Sequence, residues 1–274
     1  TNYWGWWSSS NGAVIGKGKL YIGPASGSSS SVFTDTAFTV IFADQRGIAG
    51  FYEINIDGVG TDVTWTLGSI SSATTASTAG RWSLTCDADA QTLLVTSCVL
   101  SGGNAFLVND ACTFVGTTFI DCFKITSTSA VFTDCTFLDS AENVGTAALV
   151  VGGLEDITGC TFQFSAGHAI EIDSTGTYDF DGNTFTGAFT GTPGSNLTSS
   201  SGPTTAMIYN NSGGLVTINI LSGGTTPTIR NGAGATTVVI NAVTLTITAL
   251  DANDSSVIQD ARLSLEADSG GNLP

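Results

Sequence analysis

Glycoside hydrolysis needs two carboxylates held on one face of a fold, so the acids come first. Those beside the most regular stretch of this sequence are Asp110, Asp134, Asp156 and Asp181. Asp110, Asp134 and Asp181 stand roughly in register, but their offsets from neighbouring turns and cysteines differ, and a common facing does not follow. The bases that would serve such a site are Arg81, Lys124, Arg230 and the single His168, and they are spread along the chain without clustering. His168 follows Gly167 at a corner and is expected to be a solvated histidine rather than a catalytic one. The six cysteines show no C-x2-C spacing and none is near His168 in sequence, which leaves zinc without support. Inward side chains on parallel neighbours rarely meet the dihedral a disulfide wants, so buried free thiols are expected. There is no G-x-S-x-G, phosphate-binding loop, dinucleotide fingerprint or calcium nonapeptide. The expectation is no catalytic set, no metal ligands and no cofactor.

Aromatic side chains are the other residues able to make a site. Tyr3, Trp4, Trp6 and Trp7 hold three of the five tryptophans within four positions. They suit a plug over an open end of the fold or a contact with another subunit, since Trp and Tyr dominate interface energetics. A sugar-stacking platform is the third reading, and no polar residues converge nearby to favour it. These four are the candidate binding residues, for attachment or subunit contact.

The element that must position everything else is a repeat. Cys86, Cys112, Cys135, Cys160 and Asn183 follow one another at steps of 26, 23, 25 and 23. A second column is offset by ten to twelve residues and runs Cys98, Cys122, a gap, then Ile170. The repeats share text: Ala111-Cys112-Thr113-Phe114, Asp134-Cys135-Thr136-Phe137, Gly159-Cys160-Thr161-Phe162 and Gly182-Asn183-Thr184-Phe185. A period near 24 built of short β-rich runs predicts an all-β, right-handed parallel β-helix with about 23–25 residues per coil. Successive coils would lie about 4.8 Å apart, each residue stacked on its equivalent. Residues 1–50 are expected to form a non-repeating N-terminal cap, 51–250 the solenoid, and 251–274 a linker and the start of a further β domain. Residues 188–205, rich in Gly, Ser, Thr and Pro, read as a loop protruding from one corner.

Composition bounds the partners. The chain is 42% hydrophobic with mean hydropathy +0.26, which excludes disorder. Acids outnumber bases 23 to 7, giving a net charge of −16, and that field repels phosphate backbones. Nucleic acid is therefore a poor partner, and a lysine-poor acidic surface suits a salty extracellular medium. No run of eighteen apolar residues exists to span a membrane. Thr1 is not an initiator Met and no signal peptide follows it, so a processed chain or a fragment is expected.

Some coils carry more specific text. His168-Ala169-Ile170-Glu171-Ile172, Tyr178-Asp179-Phe180-Asp181-Gly182-Asn183-Thr184-Phe185-Thr186-Gly187, Ile208-Tyr209-Asn210-Asn211-Ser212-Gly213-Gly214 and Thr228-Ile229-Arg230-Asn231-Gly232 resemble coils of the right-handed β-helix proteins encoded by tailed bacteriophages. The resemblance covers residues 85–250. It implies a structural virion component, tail-associated or decorating, in an extracellular particle. It also implies other virion proteins as partners, a trimeric assembly and a host-surface glycan as ligand. The wider superfamily includes pectate lyases and polygalacturonases, so a glycan-cleaving tailspike enzyme is the alternative, and a secreted adhesin a third.

Overall fold

The computed structural model describes residues 5–8, 12–23, 31–43, 52–56, 60–73, 80–86, 92–140, 147–153, 156–190, 200–241 and 248–258. Its strands form three sheets of nine, and coils 1 to 8 each visit sheet 1, then sheet 2, then sheet 3 before rising one step, while coil 9 is described from its sheet 2 strand onward. Coil 1, for example, is Ala13–Gly16, Lys19–Ile22 and Ser31–Thr36; coil 2 is Thr39–Phe42, Tyr52–Ile56 and Thr61–Thr66. All strand pairs within the three sheets are parallel except one: Gly5–Ser8 runs antiparallel to Ala13–Gly16 and closes the edge of sheet 1. The fold is a right-handed parallel β-helix, the hand that parallel β connections adopt.

Alternation within each strand explains why these short runs assemble. Tyr52, Ile54 and Ile56 are buried while Glu53 and Asn55 between them are not. A single coil cannot bury its apolar side, but stacking makes the inner positions continuous. In sheet 1 the inner column is Val14, Val40, Ile70, Leu100, Phe119, Phe137, Phe162 and Phe185. Its rings stack at 4.9 Å for Phe119–Phe137, 4.5 Å for Phe137–Phe162 and 5.3 Å for Phe162–Phe185.

The register corrects three sequence expectations. The solenoid begins inside residues 1–50, because Val14 pairs with Val40, Leu20 with Ile54 and Phe33 with Val63. Among the described residues only Gly5–Ser8 serves as a cap strand, and the compact unit ends at Asn241, before a second unit of residues 242–274. The spacing of 23–25 is an average over coils of unequal length. Ile70 pairs with Leu100, a step of 30; Leu100 with Phe119, a step of 19; Phe119 with Phe137, a step of 18. The cysteines accordingly do not form one column. Cys86 ends a sheet 2 strand and Cys112 opens a sheet 3 strand, whereas Cys135, Cys160 and Asn183 share the corner between sheets 3 and 1. Connections that lengthen one coil and shorten another move an equal sequence step onto a different wall.

That corner has a constant backbone. In coils 1 to 7 one residue takes positive φ there: Ala37 (59°), Leu67 (54°), Ser97 (52°), Gly116 (58°), Asp134 (52°), Gly159 (65°) and Gly182 (66°); after the sheet 3 strand of coil 8 two do, Ser222 (47°) and Gly223 (71°). The left-handed residue turns the chain sharply, and the side chain that follows it points into the corner. Thr117 Oγ1 donates to the Val95 carbonyl (3.2 Å), Cys135 Sγ to Phe114 (3.4 Å), Cys160 Sγ to Phe132 (3.4 Å) and Asn183 Nδ2 to Ile157 (2.5 Å). Those four carbonyls belong to successive register partners of sheet 3. Each corner side chain thus ties its coil to the one before through a sheet 3 carbonyl. All six cysteines are buried and free.

Candidate functional site

Of the four predicted binding residues, Tyr3 and Trp4 lie outside the described residues. Trp6 and Trp7 lie in the cap strand, opposite Ile15 and Val14. The acids are not brought together. Asp110 occupies a turn in which Asn109 Oδ1 accepts the Ala111 N–H; Asp134 is a left-handed corner residue; Asp156 and Asp181 lie on strands of sheet 3. Among the described residues no three His, Cys, Asp or Glu side chains gather as metal ligands would. Arg81 is buried as a structural group: it donates to the Gly103 and Asp121 carbonyls, pairs with Asp121 Oδ1 at 2.8 Å and lies 3.9 Å over the Phe123 ring.

The cluster that does form is on the outer face of sheet 2, in coils 6 to 9. Leu149, Ile170, Ile208 and Ile229 are register partners, the first three in the core and Ile229 packed against it, so their neighbours Val150, Glu171, Tyr209 and Arg230 make a column on the outer face. Outer positions on a solenoid normally meet water. These are 5%, 7%, 1% and 7% exposed.

The segment 200–207, the end of the insertion in coil 8, lies against this face. Ser201 and Asn231 exchange two backbone hydrogen bonds of 2.8 Å in antiparallel sense. A Cβ on Gly202 would stand 2.5 Å from the Ile229 carbonyl oxygen, so the close approach requires glycine, helped by a φ of 103°. Arg230 Nε donates to Ser200 Oγ at 2.9 Å. Nδ1 of His168 lies 2.5 Å from the Ala206 carbonyl oxygen, and the imidazole stacks on Tyr209 with centroids 5.5 Å apart. His168 is therefore not the solvated corner residue expected from sequence but is 1% exposed.

The electrostatics follow from that burial. The Glu171 carboxyl is pushed up to about 8 by loss of water and by the Asp173 carboxylate beside it. Asn211 Nδ2 joins the two acids, donating to Glu171 Oε1 at 2.9 Å and Asp173 Oδ1 at 3.2 Å, while Tyr209 Oη donates to Asn211 Oδ1 at 3.2 Å. Burial raises the Tyr209 phenol, and burial with the Arg230 charge lowers the His168 imidazolium. The group can hold a proton on Glu171 at neutral pH. Asp173 and Asn211 are exposed and Glu171 is not. Sequence reasoning missed Glu171, Asp173, Tyr209 and Asn211 as a set, because only the register places residues 171, 209 and 230 on adjacent coils. The insertion before residue 205 was the available signal, since inserted loops often lie over a functional face.

No protein-family model matches the chain, and no curated protein and no solved structure is similar to it above chance.

Proposed function

We propose that this chain is a rigid, non-catalytic component of an extracellular particle, the virion of a tailed bacteriophage, serving assembly or attachment to the host surface. The observation that carries the reading is the chemistry of the outer faces. The outer column of sheet 1 is Thr39, Ser69, Val99, Thr118, Thr136, Thr161 and Thr184, and one column of sheet 3 is Thr36, Thr66, Thr96, Val115, Thr133 and Thr158, continued by Asp181 and Leu221. The short, mostly β-branched side chains that dominate these columns have few rotamers and pack well against cross-strand neighbours, so they favour a stiff body. The first coil suits the attachment end. Its sheet 2 and sheet 3 strands have no outer partner among the described residues, and they expose Tyr21 (61%), Val32 (72%) and Phe33 (45%).

Immunogold microscopy with antibody to this chain, on virus-sized particles filtered from its source, tests the proposal. Gold at a fixed place on tailed particles is the expected result; gold on cell surfaces with bare particles would overturn it.

The Glu171–Asp173 pair favours a second reading, glycan cleavage. It requires release of reducing ends from capsular polysaccharides by the purified chain and loss of that release in Glu171→Gln. A wild-type chain that releases none is expected from the scaffold reading.

A further inference from the structure

Two buried nitrogens beside Tyr209 have no hydrogen-bond partner among the described residues: Nε2 of His168 and Nη1 of Arg230. Both side chains are more than nine-tenths buried. A guanidinium is charged at every accessible pH, and a buried cation without a counter-charge is destabilising, as a buried pair broken on one side is. Neither the Lys19–Glu53 nor the Arg81–Asp121 ion pair involves Arg230. The nearby acids do not supply the charge: Glu171 is held protonated at neutral pH, and Asp173 is exposed and bonded to Asn211. Glu171 comes from the coil 7 strand and Asp173 from just after it, Tyr209 from coil 8, Arg230 from coil 9 and Lys124 from coil 5, and among the described residues these charged or titratable groups act on the cluster.

We propose that His168 and Arg230 together bind a small oxyanion, a carboxylate or sulfate group, on the outer face of sheet 2 beneath residues 200–207. Arg230 donates from Nη1, the arm of the guanidinium that Ser200 leaves untouched. His168 has its Nδ1 directed at the Ala206 carbonyl, which fixes the proton there and leaves Nε2 as a bare lone pair in the neutral ring. Nε2 donates to an anion once the ring takes up a second proton. The oxyanion therefore enters with one proton, and its negative charge offsets the repulsion between the imidazolium and the Arg230 cation. This site is independent of any place in a virion.

The test is calorimetric titration of the full chain with sodium sulfate and, separately, sodium acetate, at ionic strength matched with sodium chloride. The expected result is saturable binding of at least one anion, tighter by about tenfold for each unit that the pH falls while His168 is the group gaining the proton. Repeating the titration in two buffers of different ionisation enthalpy is expected to report uptake of one proton per anion. Sulfate binding without acetate binding would assign the site to tetrahedral anions, and the reverse to carboxylates. Arg230→Met is expected to abolish binding while leaving the anion-free chain no less stable in urea. Arg230→Lys, which keeps the charge and loses the fork, is expected to weaken binding about tenfold. His168→Gln is expected to remove the proton linkage. Absence of saturable binding in the wild-type chain, or unchanged binding in the Arg230 variants, overturns the proposal.

Discussion

Asn183 stands where Cys135 and Cys160 stand in the two preceding coils, and it makes the same tie with stronger partners. Its Nδ2 donates to the Ile157 carbonyl and its Oδ1 accepts the Cys160 N–H at 2.8 Å. Replacement by a leucine of similar size leaves the buried Cys160 N–H unpaired and removes the side-chain donor to the Ile157 carbonyl, at roughly 1–3 kcal/mol. Asn183→Leu is therefore expected to lose about 1–3 kcal/mol in urea unfolding, and an unchanged midpoint would sink the account of the corner. Leu67 gives the opposite sign: it is 62% exposed and held at a φ of 54°, where a side chain costs about 1–2 kcal/mol. Leu67→Gly relieves that cost and adds freedom to the unfolded chain, so a net gain of about 0.5–1 kcal/mol is expected. Glu171 sets a pH dependence. Its carboxyl rises from an ordinary 4.5 to about 8 in the folded chain, so between those values the folded state holds a proton that the unfolded state has lost. The stability it contributes is fully present below about 4.5 and is lost as pH rises through about 8. Glu171→Gln is expected to flatten that part of the stability profile, and an equal slope in both proteins would refute the burial argument.

At the scale of the element, the inner column of sheet 1 carries the packing. Phe137 lies between Phe119 and Phe162 with centroid distances of 4.9 and 4.5 Å, and its removal opens a cavity that neighbouring coils cannot close. Phe137→Ala is expected to cost about 3–5 kcal/mol by thermal or urea unfolding. The thiols belong to the same interior. Burial pushes Cys122 up to about 12, and the hydrogen bond with the neighbouring Cys135 thiol, together with burial, holds Cys160 above the ordinary range. A thiol that stays protonated and shut off from water does not attack a disulfide reagent. Addition of such a reagent to the native chain is expected to label fewer than one cysteine per molecule until urea is added. The element also explains why a cysteine, a threonine and an asparagine can alternate at one corner position. Each is small and carries a donor, and the left-handed residue before it delivers that donor to the same carbonyl column.

For the molecule as a whole, each coil touches chiefly the coils on either side, so stability is close to a sum over neighbours. Deleting residues 136–160 removes one turn while joining Cys135 to Thr161, the register partner of the residue it formerly preceded. That chain is expected to fold with the same far-ultraviolet β signature and a lower melting temperature; an unfolded product would show that the coils are not interchangeable. Much of this architecture was legible beforehand. Thr-Phe text recurring at Thr113, Thr136, Thr161 and Thr184 reports a Phe facing inward beside an outward Thr, and that alternation needs nothing beyond strand geometry. The polar cluster was not legible. Glu171, Tyr209 and Arg230 are 38 and 21 residues apart, and what makes them neighbours is the pairing of Glu171 with Tyr209 and of Tyr209 with Arg230. An insertion absorbed into coil 8 sets that spacing, and its length leaves no periodic trace.

The sequence by itself determined the class of fold, the composition of the outer faces and the burial of the thiols, because apolar alternation and small-residue corners act over a few residues. Only the tertiary structure decided where the solenoid begins, which cysteines share a corner, and that His168 is buried. Those depend on the lengths of individual coils and on which segment folds back over sheet 2, and both are settled by contacts between residues far apart in the chain.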